Sequence, residues 1–221
     1  MIRQDYILRM IEQAAQMIAR LLRMGDEGNR LGARELEEET AAKFLDITRE
    51  NLAEWNDEKL YAHLKRNGPP IEFSIRLGVA VSLLDGRARC LEKNGAHAEA
   101  NEFLARGIGI LLRSKIESQR ADIPEFAPGL EDFLGRMDDA NMPVRTAGLL
   151  VCYHEHMGQF SAAEDALFRL QELVGSDRDV MKLGEGFYQR LLRETDETLE
   201  AGNLPRPEVE QGAAQWRKLF P

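Results

Sequence analysis

The sequence predicts an all-α protein built from antiparallel helical hairpins, and three observations predict it. Apolar residues recur at spacings of three and four through most of the 221 residues. Gly, Asn-Gly and Pro interrupt that pattern at intervals suited to helix ends. No segment sustains period-two alternation, so no sheet is expected. With 43% hydrophobic and 30% charged residues, the chain can bury a core and is not globally disordered.

The first helix is expected over residues 2–24. Ile7, Ile11, Ala14, Ile18 and Leu21 share one face, Leu8, Ala15 and Leu22 widen it, and Gly25 and Gly28 bracket its stop. Residues 26–58 carry eleven acids against four bases. Leu36, Phe44, Leu45 and Leu52 still give a stripe, so the expectation is a solvated helix near 33–47 rather than an acidic tail. Asn56 is the N-cap of a helix running to about Arg66, and Asn67-Gly68-Pro69-Pro70 ends it. That break is the predicted boundary between an N-terminal helical segment, 1–68, and a helical body, 69–221.

A long helix follows over 71–94, and Asn94-Gly95 breaks it. Residues 97–113 resume the spacing, and Gly107 and Gly109 there suggest close helix contact. Residues 114–127 are read as loop. Pro128 and Pro143 each suit the first position of a helix, to about Met137 and to Met157. Ser161 and Glu164 have capping-box spacing. That helix ends at Gly175, and Ser176–Asp179 opens the next, through Phe187, Leu191 and Leu192. A short turn at 196–201 and a helix from Pro207 to Leu219 complete the pattern.

Composition narrows function. A formal charge of −9 opposes binding to phosphate backbones, so no nucleic acid is expected. No apolar run reaches about 18 residues, so no membrane insertion is expected. Arg3, Asp5, Arg9 and Glu12 interrupt the opening turns, leaving no secretory apolar core, and the cytoplasm is the expected compartment. The two cysteines, Cys90 and Cys152, lie in helical stretches and are expected as buried thiols rather than a disulfide framework.

Two stretches repeat. Ala88-Arg-Cys-Leu-Glu-Lys-Asn-Gly95-Ala-His-Ala-Glu-Ala100-Asn-Glu-Phe-Leu104 matches Val151-Cys-Tyr-His-Glu-His-Met-Gly158-Gln-Phe-Ser-Ala-Ala163-Glu-Asp-Ala-Leu167. Each has Gly at the reversal, Ala five residues on, and Leu four beyond that. Gly permits the positive φ of a tight reversal, Ala lets the helices approach, and Leu lies one turn further on the same face. The pattern resembles the helix-turn-helix unit of tetratricopeptide repeats, over about 81–113 and 145–174. Phe160 fits the aromatic after the hairpin, and His97 fits it less well. The resemblance implies a right-handed superhelix or solenoid that binds a protein or peptide. Gly95 and Gly158 are further apart than one roughly 34-residue period, and an extra helix lies between them. The opening Arg3-Gln-Asp-Tyr-Ile-Leu-Arg-Met-Ile11-Glu also resembles the start of a family of uncharacterised bacterial helical proteins that carries no agreed activity.

Candidate chemistry is sparse. Cys152-Tyr-His154-Glu-His156 gathers metal-ligating types, but residues two apart on a helix point about 200° apart, so His154 and His156 cannot share an ion. His63 and His97 stand alone and are expected at the surface or boundary. No Gly-x-Gly-x-x-Gly, phosphate-binding loop or Gly-x-Ser-x-Gly elbow occurs, and Gly184-Glu-Gly186 reads as a packing feature. No catalytic, cofactor-binding or metal site is therefore predicted. On a tetratricopeptide-like inner face, counting back from each hairpin Gly selects Asp85, Arg89 and Glu92, then Arg145, Cys152 and His156. Arg89 and Arg145 are the expected donors to a peptide carboxylate. The leading expectation is a non-enzymatic repeat protein with an unidentified protein or peptide partner. The alternatives are an enzyme or small-ligand binder with an interhelical pocket, and a structural homo-oligomer, such as a homodimer, joined through residues 2–24.

Overall fold

The computed structural model describes residues 2–27, 30–66, 69–117 and 123–219. Among them every regular element is helical, and no helix is long and apolar enough to cross a membrane. The predicted stop at Gly28 and the Asn67-Gly68 break lie outside the described residues. Two compact units divide the chain, Met1–Asn141 and Met142–Pro221. The helices on both sides of the 68/69 break lie in the first unit. The reason is packing: the helices before Pro69 bury their apolar faces against those just after it.

In the first unit, α1 (Ile2–Asp26) precedes α2 (Arg30–Thr40), a π-turn (Ala41–Leu45), α3 (Arg49–Glu54) and α4 (Asp57–Leu64). Then come α5 (Pro70–Lys93), α6 (His97–Glu117) and α7 (Leu130–Leu134), with a 3₁₀ turn at Asp139–Asn141. The core sits on α5. Ile75, Leu77, Val79, Ala80, Val81, Leu83 and Leu84 are all fully buried, as in a helix surrounded by others. α1, α4, α6 and the π-turn pack on it. Pro70 opens α5, where its missing N–H costs nothing. α5 reverses into α6 at Gly95, whose φ of 75° needs no Cβ. Gly107 is a close contact as expected: a Cβ there would lie 2.3 Å from the buried ring of Phe133.

The predicted helix over 33–47 divides into α2 and the π-turn. Thr40 Oγ1 donates to Leu36 O at 2.6 Å, a back-bond that bends helices, and the wider turn buries Ala41, Phe44 and Leu45 together. Asp46 ends it in the left-handed region, φ 56°. α3 was not expected; Thr48 and Asn51 cap it reciprocally. α4 begins where the sequence places it, with Asn56 Oδ1 accepting from Lys59 N at 2.9 Å. Asn56→Ala is expected to cost about 1 kcal/mol, seen as an earlier urea transition in the fluorescence of the neighbouring Trp55. α7 starts after Gly129, not at Pro128, because the Asp132 carboxylate accepts from Gly129 N at 2.8 Å.

The second unit holds α8 (Val144–His156), α9 (Phe160–Val174), α10 (Arg178–Leu191), α11 (Asp196–Ala201) and α12 (Arg206–Leu219). α8 and α9 form a hairpin at Gly158, φ 69°. Pro143 caps α8 rather than opening it. α9 starts one residue before Ser161, so the predicted capping box does not form. Ser161 N donates instead to Gly202 O at 3.1 Å, and Glu164 accepts from Tyr188 Oη. Asp177 caps α10, and the segment read as a turn at 196–201 is α11, capped by Thr195. Val151, Ala163, Leu167, Phe187, Leu199, Val209 and Trp216 form one core.

Candidate partner-binding faces

The two sets of residues selected on α5 and α8 meet different fates. On α5, Asp85 is buried and lies four residues before Arg89, one helical turn away. Arg89 Nε donates to Asp85 Oδ2 at 2.8 Å. Arg136, just past α7, hydrogen-bonds Asp85 Oδ1 and reaches Glu92 with Nη2 at 2.9 Å and Nε at 3.3 Å. Burial opposes the guanidinium's charge, but hydrogen bonds to Glu92 and Asp85 outweigh it and raise its pKa. The acids of this face therefore hold a cation from their own unit. The arrangement staples α7 to α5 and is reinforced by Phe133 on Gly107.

Elsewhere in this unit, arginines serve the same stapling purpose. Glu37 on α2 is buried and receives both Arg87 of α5 and Arg49 of α3. Arg113 Nε reaches Asp57 Oδ2 at 3.1 Å where Gly109 lets α4 approach α6. Arg106 donates to the carbonyls of Leu52, Ala53 and Trp55, closing the end of α3. His63 is half-buried, Nε2 to Leu45 O at 2.8 Å, and His97 is exposed.

On α8, Arg145, Cys152 and His156 follow at seven and four residues, which places them along one face. All three are exposed, with half-buried Leu149 between the first two. Cys90 and Cys152 are both exposed, which corrects the expectation of buried thiols. Neither falls among the buried positions of its helix, the last of which are Leu84, Asp85 and Ala88 before Cys90 and Thr146, Ala147, Leu150 and Val151 before Cys152. The Cys152 residue surface is open, yet desolvation by its neighbours, then Glu155, pushes its thiol up, away from a reactive thiolate. Beside it Arg190 of α10 grips Glu155 with both arms, at 2.5 and 2.9 Å. His154 turns aside to Gln159 Oε1 at 2.8 Å. The face can offer a guanidinium and an imidazole, groups that hydrogen-bond carboxylates and carbonyls.

Sequence reasoning missed Arg136 and Arg190. Arg136 sits outside any apolar period, and its acceptors are more than forty residues away. Arg190 looks like any exposed helix charge until α10 is folded beside α8.

No curated protein and no solved structure matches the chain. A family model described as a family of unknown function, DUF6483, matches residues 1–221. The chain belongs to the DUF6483 family.

Proposed function

We propose that the chain is a non-enzymatic, tetratricopeptide-like helical-repeat protein that binds a protein or peptide, and that α8 is its contact helix. The observation that carries this reading is the placement of Arg145, Cys152 and His156, three exposed residues that share one side of α8 in the shorter hairpin. The α8–α9 hairpin supports the tetratricopeptide likeness best. Its helices have 13 and 15 residues, near the length of such a unit, whereas α5 and α6 have 24 and 21. Gly158 turns it, and Ala163 and Leu167 are fully buried where the repeat pattern puts them. The partner's contact is expected to be acidic, matching Arg145, and the compartment cytoplasmic.

The test is quantitative capture from cells of its source using the full chain. Arg145→Glu with His156→Glu is expected to lose a partner that wild type and Arg89→Glu both retain. Equal recovery by the α8 variant, or no specific partner with wild type, would overturn the reading.

One observation favours a second reading, the homodimer through residues 2–24. Ala14, Met17, Ile18 and Leu21 on the second half of α1 are buried, but Tyr6 and Leu8 are 57% and 54% exposed. Ile7, Met10 and Ile11 are only half-buried. Light scattering would show a dimer that Ile7→Glu with Ile11→Glu, on one face of α1, converts to monomer; a monomeric wild type at high concentration removes this reading.

A further inference from the structure

One carboxyl group lies under a helix with nothing cationic hydrogen-bonded to it. Glu164 of α9 is half-buried, and its Oε1 accepts from Tyr188 Oη of α10 at 2.7 Å. The backbone of α12 lies directly over that bond. A Cβ at Gly212 would come within 2.3 Å of Glu164 Oε1 and 2.7 Å of Tyr188 Oη. The α12 backbone thus covers one side of the carboxyl, and only a glycine there allows so close an approach.

We propose that α12 is a pH-responsive clasp, docked most firmly when Glu164 is protonated and loosened when it ionises. A neutral carboxyl keeps an acceptor for Tyr188 and needs little water. An ionised one needs several donors, and the α12 backbone above it excludes water from that side. The charged and titratable groups acting on Glu164 are Asp165 on its own helix, Tyr188 on α10 and Glu208 on α12. Both acids add like charge, and Glu208 rides on the helix that would move. Desolvation foremost, with Asp165 and Glu208 adding to it and the Tyr188 hydrogen bond opposing, raises the Glu164 pKa above 4.5. Burial, then Glu164, raises Tyr188 as well, so the phenol remains a donor throughout the physiological range.

The sign follows from the raised value. The contribution of Glu164 to α12 docking is fully present below about pH 4.5 and is lost as pH rises through the higher folded-state pKa. Opening would uncover the seat of Trp216, which packs on Gly184, Phe168 and Tyr188.

The experiment is amide hydrogen exchange of the full chain between about pH 4 and pH 8, with protection corrected for intrinsic rates. In wild type, protection over Val209–Trp216 is expected to fall about threefold or more as pH rises, at most about tenfold per pH unit for one proton. α6 amides should not follow. Glu164→Gln keeps the acceptor and should make α12 protection independent of pH. Glu208→Gln, at an exposed site, should move the midpoint to lower pH. A flat wild-type profile, an unchanged slope in Glu164→Gln, or a parallel loss in α6 would each overturn the proposal. If Glu164→Gln does not fold, an unmoved midpoint in Glu208→Gln overturns it instead.

Discussion

Replacing Asp85 by Ala is expected to cost the N-terminal unit about 3 kcal/mol, because breaking a buried ion pair strands its partner. The side chain of Asp85 is 5% exposed, and that of Arg136 is 22% exposed. Removing the carboxylate leaves Arg136 with Glu92 alone, and Arg89 with no acid in the preceding turn. Arg89 itself is half exposed, so Arg89→Ala should cost under about 0.5 kcal/mol, as exposed pairs do. The slowest-exchanging amides of α5 report the difference. Arg136→Met combined with Asp85→Leu should cost less than the two single substitutions added together, since each single change strands the other member of the buried pair. Equal costs for Asp85→Ala and Arg89→Ala would show that the face is solvated and its acids available to a partner.

Asn56, Gly95, Gly158, Gly175 and Asp177 mark helix ends in the structure as the sequence indicates, because each acts through its own backbone or the next turn. Signals that need a distant partner were not legible in that way. The capping box at Ser161 loses to Gly202, which offers a carbonyl, and to Tyr188, which claims Glu164. The π-turn depends on Phe44 and Leu45 both finding the core, which periodicity at 3.6 cannot express. The surroundings of the first candidate face were hidden for the same reason. Asp85, Arg89 and Glu92 were correctly placed along one side of α5, but Arg136, which closes that side, arrives from beyond the next helix. That Arg145, Cys152 and His156 share one side of α8 was legible because it needs only the helical period.

Gly184→Ala is expected to destabilise the C-terminal unit by about 2–3 kcal/mol, an overpacking cost. Helix propensity alone predicts the opposite, since Ala is favoured over Gly by about 1 kcal/mol inside a helix. The geometry decides. A Cβ at Gly184 would lie 2.1 Å from Trp216 Cε2 and 2.4 Å from two further indole atoms. The indole cannot retreat easily: it is 1% exposed, and its Nε1 donates to Met181 O at 3.1 Å. Gly186, two residues on, is the internal control. A Cβ there meets only the tip of Arg190, at 3.0 Å, and a long exposed side chain can move. Gly186→Ala should therefore gain about 0.5–1 kcal/mol. Urea transitions followed by Trp216 fluorescence should shift in opposite directions for the two variants. A gain from both would mean that α12 is not seated on α10 through Gly184. The same variant bears on the clasp: once Trp216 is displaced, α12 protection should be low at every pH, with or without a proton on Glu164.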